Sequence, residues 1–289
     1  MPLYQAVVLA IIQGLTEFLP VSSTAHLALF PWLLHWKDPG LTFDVALHAG
    51  TLVAVVVYFW RVWLEMFAAA AAGWRSSLRS GGAQRDSPCR EDDERRQKSR
   101  MLWYLIVGTV PAGVAGLLFE HSAENQLRRP DVIGFALISV GLLMWAADRI
   151  KTHPRELAQV SLLDPLAVGA AQALAVIPGV SRSGITMTAG LFRGMSRESS
   201  ARFSFLLSTP IIAGAALKKG LDVLKEGLPP EMRLPFFVGA VVAAAVGYLV
   251  IAVLIRFLGR HTFKIFVVYR IVLGVIVFAV GWGLRHHLG

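Results

Sequence analysis

Residues 13–26 read QGLTEFLPVSSTAH, and residues 172–186 read QALAVIPGVSRSGIT. Each stretch runs from a Gln through a Pro to a group of hydroxyl side chains, and each is followed by an apolar run led by Phe, at Phe43 and at Phe203. Corresponding features lie roughly 160 residues apart, the spacing of an internal repeat. In both stretches Pro interrupts an otherwise helical, apolar segment, so each is expected to be a broken helix rather than a span.

The rest of the chain supplies the spans. Of 289 residues 55% are hydrophobic and 16% are charged, too apolar for an ordinary soluble domain. A hydrocarbon core of about 30 Å needs roughly 20 helical residues to cross it. Residues 101–119 and 234–255 carry no charge at all, and 132–147 and 203–217 are uncharged but shorter. Residues 43–60 and 265–284 add two spans that contain Asp44 and Arg270, which must face protein or water. The expected fold is therefore an all-α polytopic membrane protein with six transmembrane helices.

Basic residues sort by side. If the segment after Trp60 is cytoplasmic, eighteen Lys and Arg fall on that side against eight on the other, with Arg182 and Arg270 in the membrane. The net charge of +9 thus reflects membrane orientation rather than nucleic-acid binding. This count puts both termini outside, provided that residues 3–34 and 163–192 each enter and leave on one face. They are then re-entrant segments on opposite faces, as an inverted repeat requires. The expected organisation is a single membrane domain, with a first repeat core at 1–72, two spans at 101–149, a second repeat core at 163–219 and two spans at 234–284. Residues 73–100 form the one long hydrophilic stretch and are expected to be a solvated cytoplasmic loop.

Further classes drop out. Residues 1–16 lack a basic start and a cleavage site, so no secretory signal is expected. Cys89 stands alone in the charged stretch, which excludes disulfides and Cys-based metal sites within one chain. Gly239, Ala243 and Gly247 recur at helical spacing and suit close packing, either inside the chain or across a homodimer.

Non-helical backbone at membrane depth is tolerated where it lines a cavity, so both breaks are expected to be cavity walls. In the second, Ser181, Ser183 and Thr186 surround Arg182. A helix restarting near Ser183 would add unpaired N–H groups, and Arg182 could grip phosphate oxygens in two-pronged fashion. The competing reading is an Arg held by backbone carbonyls at a helix break. In the first stretch, Ser22 and Ser23 precede His26 by one helical turn, which would bring a hydroxyl beside the imidazole. Hydroxyl, acid/base pair and phosphate clamp are the parts of a phosphoryl-transfer site. Capping is the plainer role for at least one of Ser22, Ser23 and Thr24, and a mutually satisfied polar pair is the plainer role for Glu17 and His26.

Gln13, one turn before Glu17, could share a ligand or a metal-bound water with it. Asp44 and His48 are spaced as a structural pair and are left outside the site. Arg270 is either a second phosphate ligand or the partner of a buried carboxylate, Glu17 or Asp44.

On these residues the chain resembles the bacterial undecaprenyl-diphosphate phosphatases, the bacitracin-resistance family. The likeness covers nearly the whole chain, including residues 203–207. It implies hydrolysis of the lipid carrier diphosphate to its monophosphate on the outer face of the bacterial plasma membrane, for reuse in peptidoglycan synthesis. It also implies six spans with two re-entrant segments. By position, Glu17 and His26 match the acid/base residues, Ser23 the nucleophile or hydroxyl ligand, and Ser181, Arg182 and Thr186 the diphosphate-binding loop. Gln13 stands where the family pattern allows Glu or Gln. The expected partners are undecaprenyl diphosphate and membrane lipids, and the expected cofactor is a divalent cation, Mg2+ or Ca2+, with Glu17 as its ligand. The rival from another class is a polyprenyl-phosphate transporter using the same clamp, since inverted repeats with broken helices also suit alternating access. Glu17, Ser23 and His26 favour the enzyme, because a carrier needs no nucleophile or base.

Overall fold

The computed structural model describes the chain except residues 38, 80–89, 126, 128, 151–153 and 288–289. Eleven α-helices are described, together with short 3-10 turns and one isolated bridge between Arg155 and Met195. Five helices are long and apolar enough to cross a bilayer: α5 (Arg90–Asn125), α6 (Pro130–Arg149), α9 (Arg197–Glu226), α10 (Pro230–Leu258) and α11 (Lys264–His287). The pair α3 (Leu41–Tyr58) and α4 (Trp60–Arg79) passes that test together across a 70° bend, and brings the number to six if it is counted as one broken span. Bulky apolar side chains such as Trp103, Leu117, Phe135, Phe237 and Val253 stand exposed around the bundle, as a lipid-facing surface requires.

The two expected hairpins are present. The first is α1 (Leu3–Phe18) and α2 (Ser23–Leu33); the second is α7 (Leu163–Ala173) and α8 (Arg182–Phe192). Both second arms begin in the same way. Ser22 and Ser181 hold positive φ values of 76° and 69°, and each hydroxyl accepts a hydrogen bond from the N–H three residues on, Ala25 or Gly184.

Each hairpin returns to the face it entered. In the second, Asp164 in the first turn of α7 is fully buried and takes Arg193, just past α8, at 2.8 Å and Arg155 at 2.8 Å. In the first, the Tyr4 and Trp36 rings meet edge to face at 5.7 Å. The two faces are opposite ones, and α10 measures the distance between them. Its start at Met232 meets Met1, and its end lies beside Glu198 of α9. The Glu198 end belongs to the second hairpin, because Ser199 donates to Glu156 at 2.8 Å. The arrangement is an inverted repeat.

Close helix approach depends on small residues. A Cβ on Gly50 would strike the carbonyl of Ala240, where α3 crosses α10, and one on Gly169 would strike the carbonyl of Gly108, where α7 crosses α5. The stripe of Gly239, Ala243 and Gly247 is likewise used inside the chain. It packs on Phe43 and Leu47 of α3 and Phe18 of α1, so the homodimer draws no support from it.

The stretch 73–100 differs from the loop expected of it. Helix α4 continues to Arg79 and α5 begins at Arg90, while residues 80–89, Cys89 among them, lie outside the described residues. Alternating Trp, Leu, Phe and Ala with Arg and Glu makes α4 amphipathic: Met66 and Ala69 are buried, whereas Trp60, Leu64, Phe67 and Trp74 are exposed. Lys98 of α5 pairs with Glu65 of α4 at 3.1 Å.

Candidate active site

The two breaks meet, and one carboxylate gathers both. Glu17 lies in the last turn of α1, buried to 5% exposure, because the chain turns extended at Leu19 directly after it. Ser23, the first residue of α2, donates its hydroxyl to Glu17 Oε2 at 2.6 Å. Arg182, the first residue of α8, places Nη2 against Glu17 Oε1. Ser23 and Arg182 are thus equivalent positions of the two repeats, and they approach opposite oxygens of one side chain. Gln13 donates Nε2 to Oε2 at 2.9 Å.

A fourth group was outside the expected site. His48 of α3 brings Nε2 to 3.4 Å from Glu17 Oε2. Its Nδ1 donates to the Asp44 backbone carbonyl at 2.7 Å, so the spacing of Asp44 and His48 serves to aim the imidazole. The cost of a polar side chain in an apolar span, the argument applied to Asp44 and Arg270, would have found His48 as well.

His26 takes a different direction from the one expected. Its Nδ1 donates to the Ser22 carbonyl at 2.7 Å, and its Nε2 accepts from the Tyr269 hydroxyl at 2.6 Å. The two rings are nearly parallel, 5.8 Å apart. Neither Ser22 nor Ser23 puts its hydroxyl on the imidazole, because the Ser22 hydroxyl caps Ala25 and Ser23 turns to Glu17. Tyr269 gives no local signal in the sequence beyond a polar tip in a span.

The remaining residues divide. Ser183 donates to the Leu19 carbonyl at 3.1 Å and ties the second break to the first. Ser181 caps α8, and Thr24, exposed, lies 3.2 Å from the Ser22 hydroxyl. The Thr186 hydroxyl donates to the Arg182 carbonyl at 2.7 Å and sits 2.6 Å from that of Ser204, so it joins α8 to α9.

Arg270 is held by backbone. It is fully buried and, among the described residues, finds no carboxylate; Nη1 donates to the Pro20 carbonyl at 3.1 Å and Nη2 to those of Gly179 and Val180 at 2.9 and 3.0 Å. Nε donates to Leu137 at 3.2 Å and Nη2 also approaches Ala136 at 3.3 Å. The role weighed against Arg182, an Arg held by carbonyls at a helix break, belongs to Arg270 instead. Each of its three nitrogens thus donates to backbone carbonyl oxygen, the work of a structural clamp.

The sequence profile of the family described as bacitracin resistance protein BacA matches residues 6–276. The chain belongs to that family. Within the BacA family it is 50% identical to an undecaprenyl-diphosphatase of Moorella thermoacetica, over 98% of this chain and 99% of that one. The undecaprenyl-diphosphatase of Gemmatimonas aurantiaca is 48% identical over 96% and 98% of the two chains, and that of Pelotomaculum thermopropionicum 46% over 96% of each. The BacA match runs through both breaks and into α11, so it takes in Glu17, Ser23, Arg182 and Arg270 alike.

Proposed function

We propose that this BacA-family protein hydrolyses undecaprenyl diphosphate to undecaprenyl phosphate and inorganic phosphate, and so returns the lipid carrier to peptidoglycan synthesis and confers resistance to bacitracin. The observation that carries the reading is the convergence of a hydroxyl, a carboxylate and a guanidinium from two separate breaks on one buried point. A transporter is not favoured, because the relatives are phosphatases and a carrier has no use for a Ser aligned on a carboxylate.

In the free protein Arg182 neutralises Glu17. An arriving diphosphate competes for that guanidinium, and its oxygens replace the carboxylate there. Glu17 keeps Ser23 and loses its cation, which makes it a stronger base at the moment that it is needed. Ser23 Oγ then attacks the terminal phosphorus and its proton passes to Glu17. The bond from that phosphorus to the bridging oxygen breaks, and undecaprenyl phosphate leaves with the electron pair. Water opens the phosphoserine, returning the Ser23 hydroxyl and releasing phosphate. Arg182 and the first N–H groups of α8 hold the charge that builds on the transferred group. His48 Nε2 stands beside Glu17, and the His26–Tyr269 pair shapes the wall beside α2.

The residues also suit a divalent cation, Mg2+ or Ca2+. Among the described residues no three of His, Cys, Asp and Glu come together to hold one unaided. Gln13 Oε1 is nevertheless buried without a partner beside Glu17, and those two oxygens fit a hard ion whose other ligands are diphosphate and water. Such an ion would offset negative charge on the diphosphate. We place the cation-rich end of the bundle in the cytoplasm, with both termini and the opening to the site on the outer side; the basic-residue asymmetry supports this.

The test is phosphate release from undecaprenyl diphosphate by the purified protein, with and without EDTA, combined with a rapid acid quench using substrate labelled in the terminal phosphate. Label on Ser23 that Ser23→Ala abolishes is the expected result. Turnover without any trapped label would replace Ser23 attack by direct attack of water, and no release from folded protein with metal supplied would overturn the phosphatase reading.

A further inference from the structure

The cation-rich end carries a concave site of its own. Tyr58 at the end of α3, Glu198 and Arg202 near the start of α9, Arg256 in the last turn of α10 and Arg260 just past it line a cavity of about 440 Å³ together with Ile255. It shares no residue with the Glu17 cluster.

Charge, depth and surroundings point to one kind of occupant. Three guanidinium groups face a single carboxylate, and Glu198 is already bonded by Arg202 at 2.8 Å. Among the described residues Arg256 and Arg260 have no carboxylate partner, so two fork-shaped cations are available to an anion. Depth follows from the chain itself. Arg256 is the first charge after the uncharged run 234–255, and Arg202 is the last before the uncharged run 203–217. Both therefore sit where hydrocarbon gives way to headgroups. Trp60, half exposed two residues beyond Tyr58 and with Arg61 over its ring at 5.3 Å, marks the same level. On the membrane side of the cavity, Val57, Leu249 and Val253 of α3 and α10 are exposed and offer an apolar track.

We propose that this cavity binds the phosphate headgroup of an anionic phospholipid, with Arg256 and Arg260 on its oxygens and its acyl chains along α3 and α10. Free phosphate shares the headgroup chemistry but has no use for the apolar track. The zwitterionic phosphatidylcholine brings a cation that Arg202 and its neighbours repel.

The test is lipid retention by the full-length protein in uncharged detergent, read by native mass spectrometry beside its Tm. Phosphatidylglycerol, phosphatidylcholine and inorganic phosphate are the three probes. Wild type should retain phosphatidylglycerol and gain Tm from it, while Arg256→Gln with Arg260→Gln should weaken retention about tenfold or more and leave phosphatase activity in detergent unchanged. Glu198→Gln removes the competing carboxylate and should tighten retention several-fold. Equal retention by wild type and the Arg double variant, or no tightening by Glu198→Gln, would overturn the site. A Tm gain from inorganic phosphate equal to that from phosphatidylglycerol would overturn the lipid as its occupant.

Discussion

The Ser23 hydroxyl lies 2.6 Å from Glu17 Oε2, across the break that separates α1 from α2. Its neighbour Ser22 spends the same functional group on capping α2.

Two adjacent serines should therefore fail in different ways. Ser23→Ala is expected to lower kcat by about 10³-fold or more with little change in Tm, since the attacking atom is removed. Ser22→Ala is expected to cost about 1 kcal/mol of stability and to leave turnover within several-fold. Steady-state kinetics with a thermal melt for each variant separates the two. Similar kinetics in both would remove the distinction drawn between them.

Glu17 and Arg182 should show strong coupling. Removing the guanidinium alone leaves a carboxylate buried without its cation, a loss on the order of 3 kcal/mol or more in comparable sites. Arg182→Gln should thus lower Tm, and adding Glu17→Gln should restore part of it while activity stays absent. A double-mutant cycle on Tm checks this; independent, additive effects would contradict the pair.

Tyr269 should act with His26 as one unit. Tyr269→Phe strips the donor from His26 Nε2, an unmet bond worth about 1–3 kcal/mol, and is expected to lower kcat/KM about tenfold. His26→Ala combined with Tyr269→Phe should be no worse than His26→Ala alone. Losses that multiply would show that the two side chains work separately.

Both hairpins could be read from the chain because their signals are local. Pro20 and Pro178 break apolar helices, and hydroxyl residues restart them. Arg182 followed from the hydroxyls and the helix break around it, and Glu17 and Ser23 from the resemblance to the family, whereas spacing alone had put the Ser23 hydroxyl on His26. What a linear reading could not supply was the direction of each side chain around its helix. Thr186 lies one turn beyond Arg182, yet it bonds back to the Arg182 carbonyl and faces Ser204. His48 looked satisfied by Asp44, and its closeness to Glu17 exists only after α3 packs against α1. The latch of Asp164 on Arg155 and Arg193 depends on two residues on either side of the hairpin, and no short motif announces it. Helix α4 was missed for a related reason: its apolar side chains occupy one side of a helix too short of uninterrupted apolar length to signal a span.

Arg270→Lys should expose the difference between a ligand and a structural clamp. An ammonium has one nitrogen where the guanidinium reaches carbonyls of Leu137, Pro20, Gly179 and Val180. Several buried carbonyls lose their donor, so a loss of about 3 kcal/mol or more is expected, with lower yield of folded protein. The fraction that remains folded should keep a KM near that of wild type. A raised KM with normal Tm would instead make Arg270 a substrate ligand.

That clamp also bears on movement. Arg270 stands on α11 and holds the Pro20 carbonyl of one repeat and the Gly179 and Val180 carbonyls of the other, all from a single guanidinium. A carrier that rocked one half against the other would have to tear these bonds in dry surroundings on every cycle and remake them on return. The rivet ties the inverted pair into one body: under the proposed function the lipid would come and go between jaws that one guanidinium keeps in register.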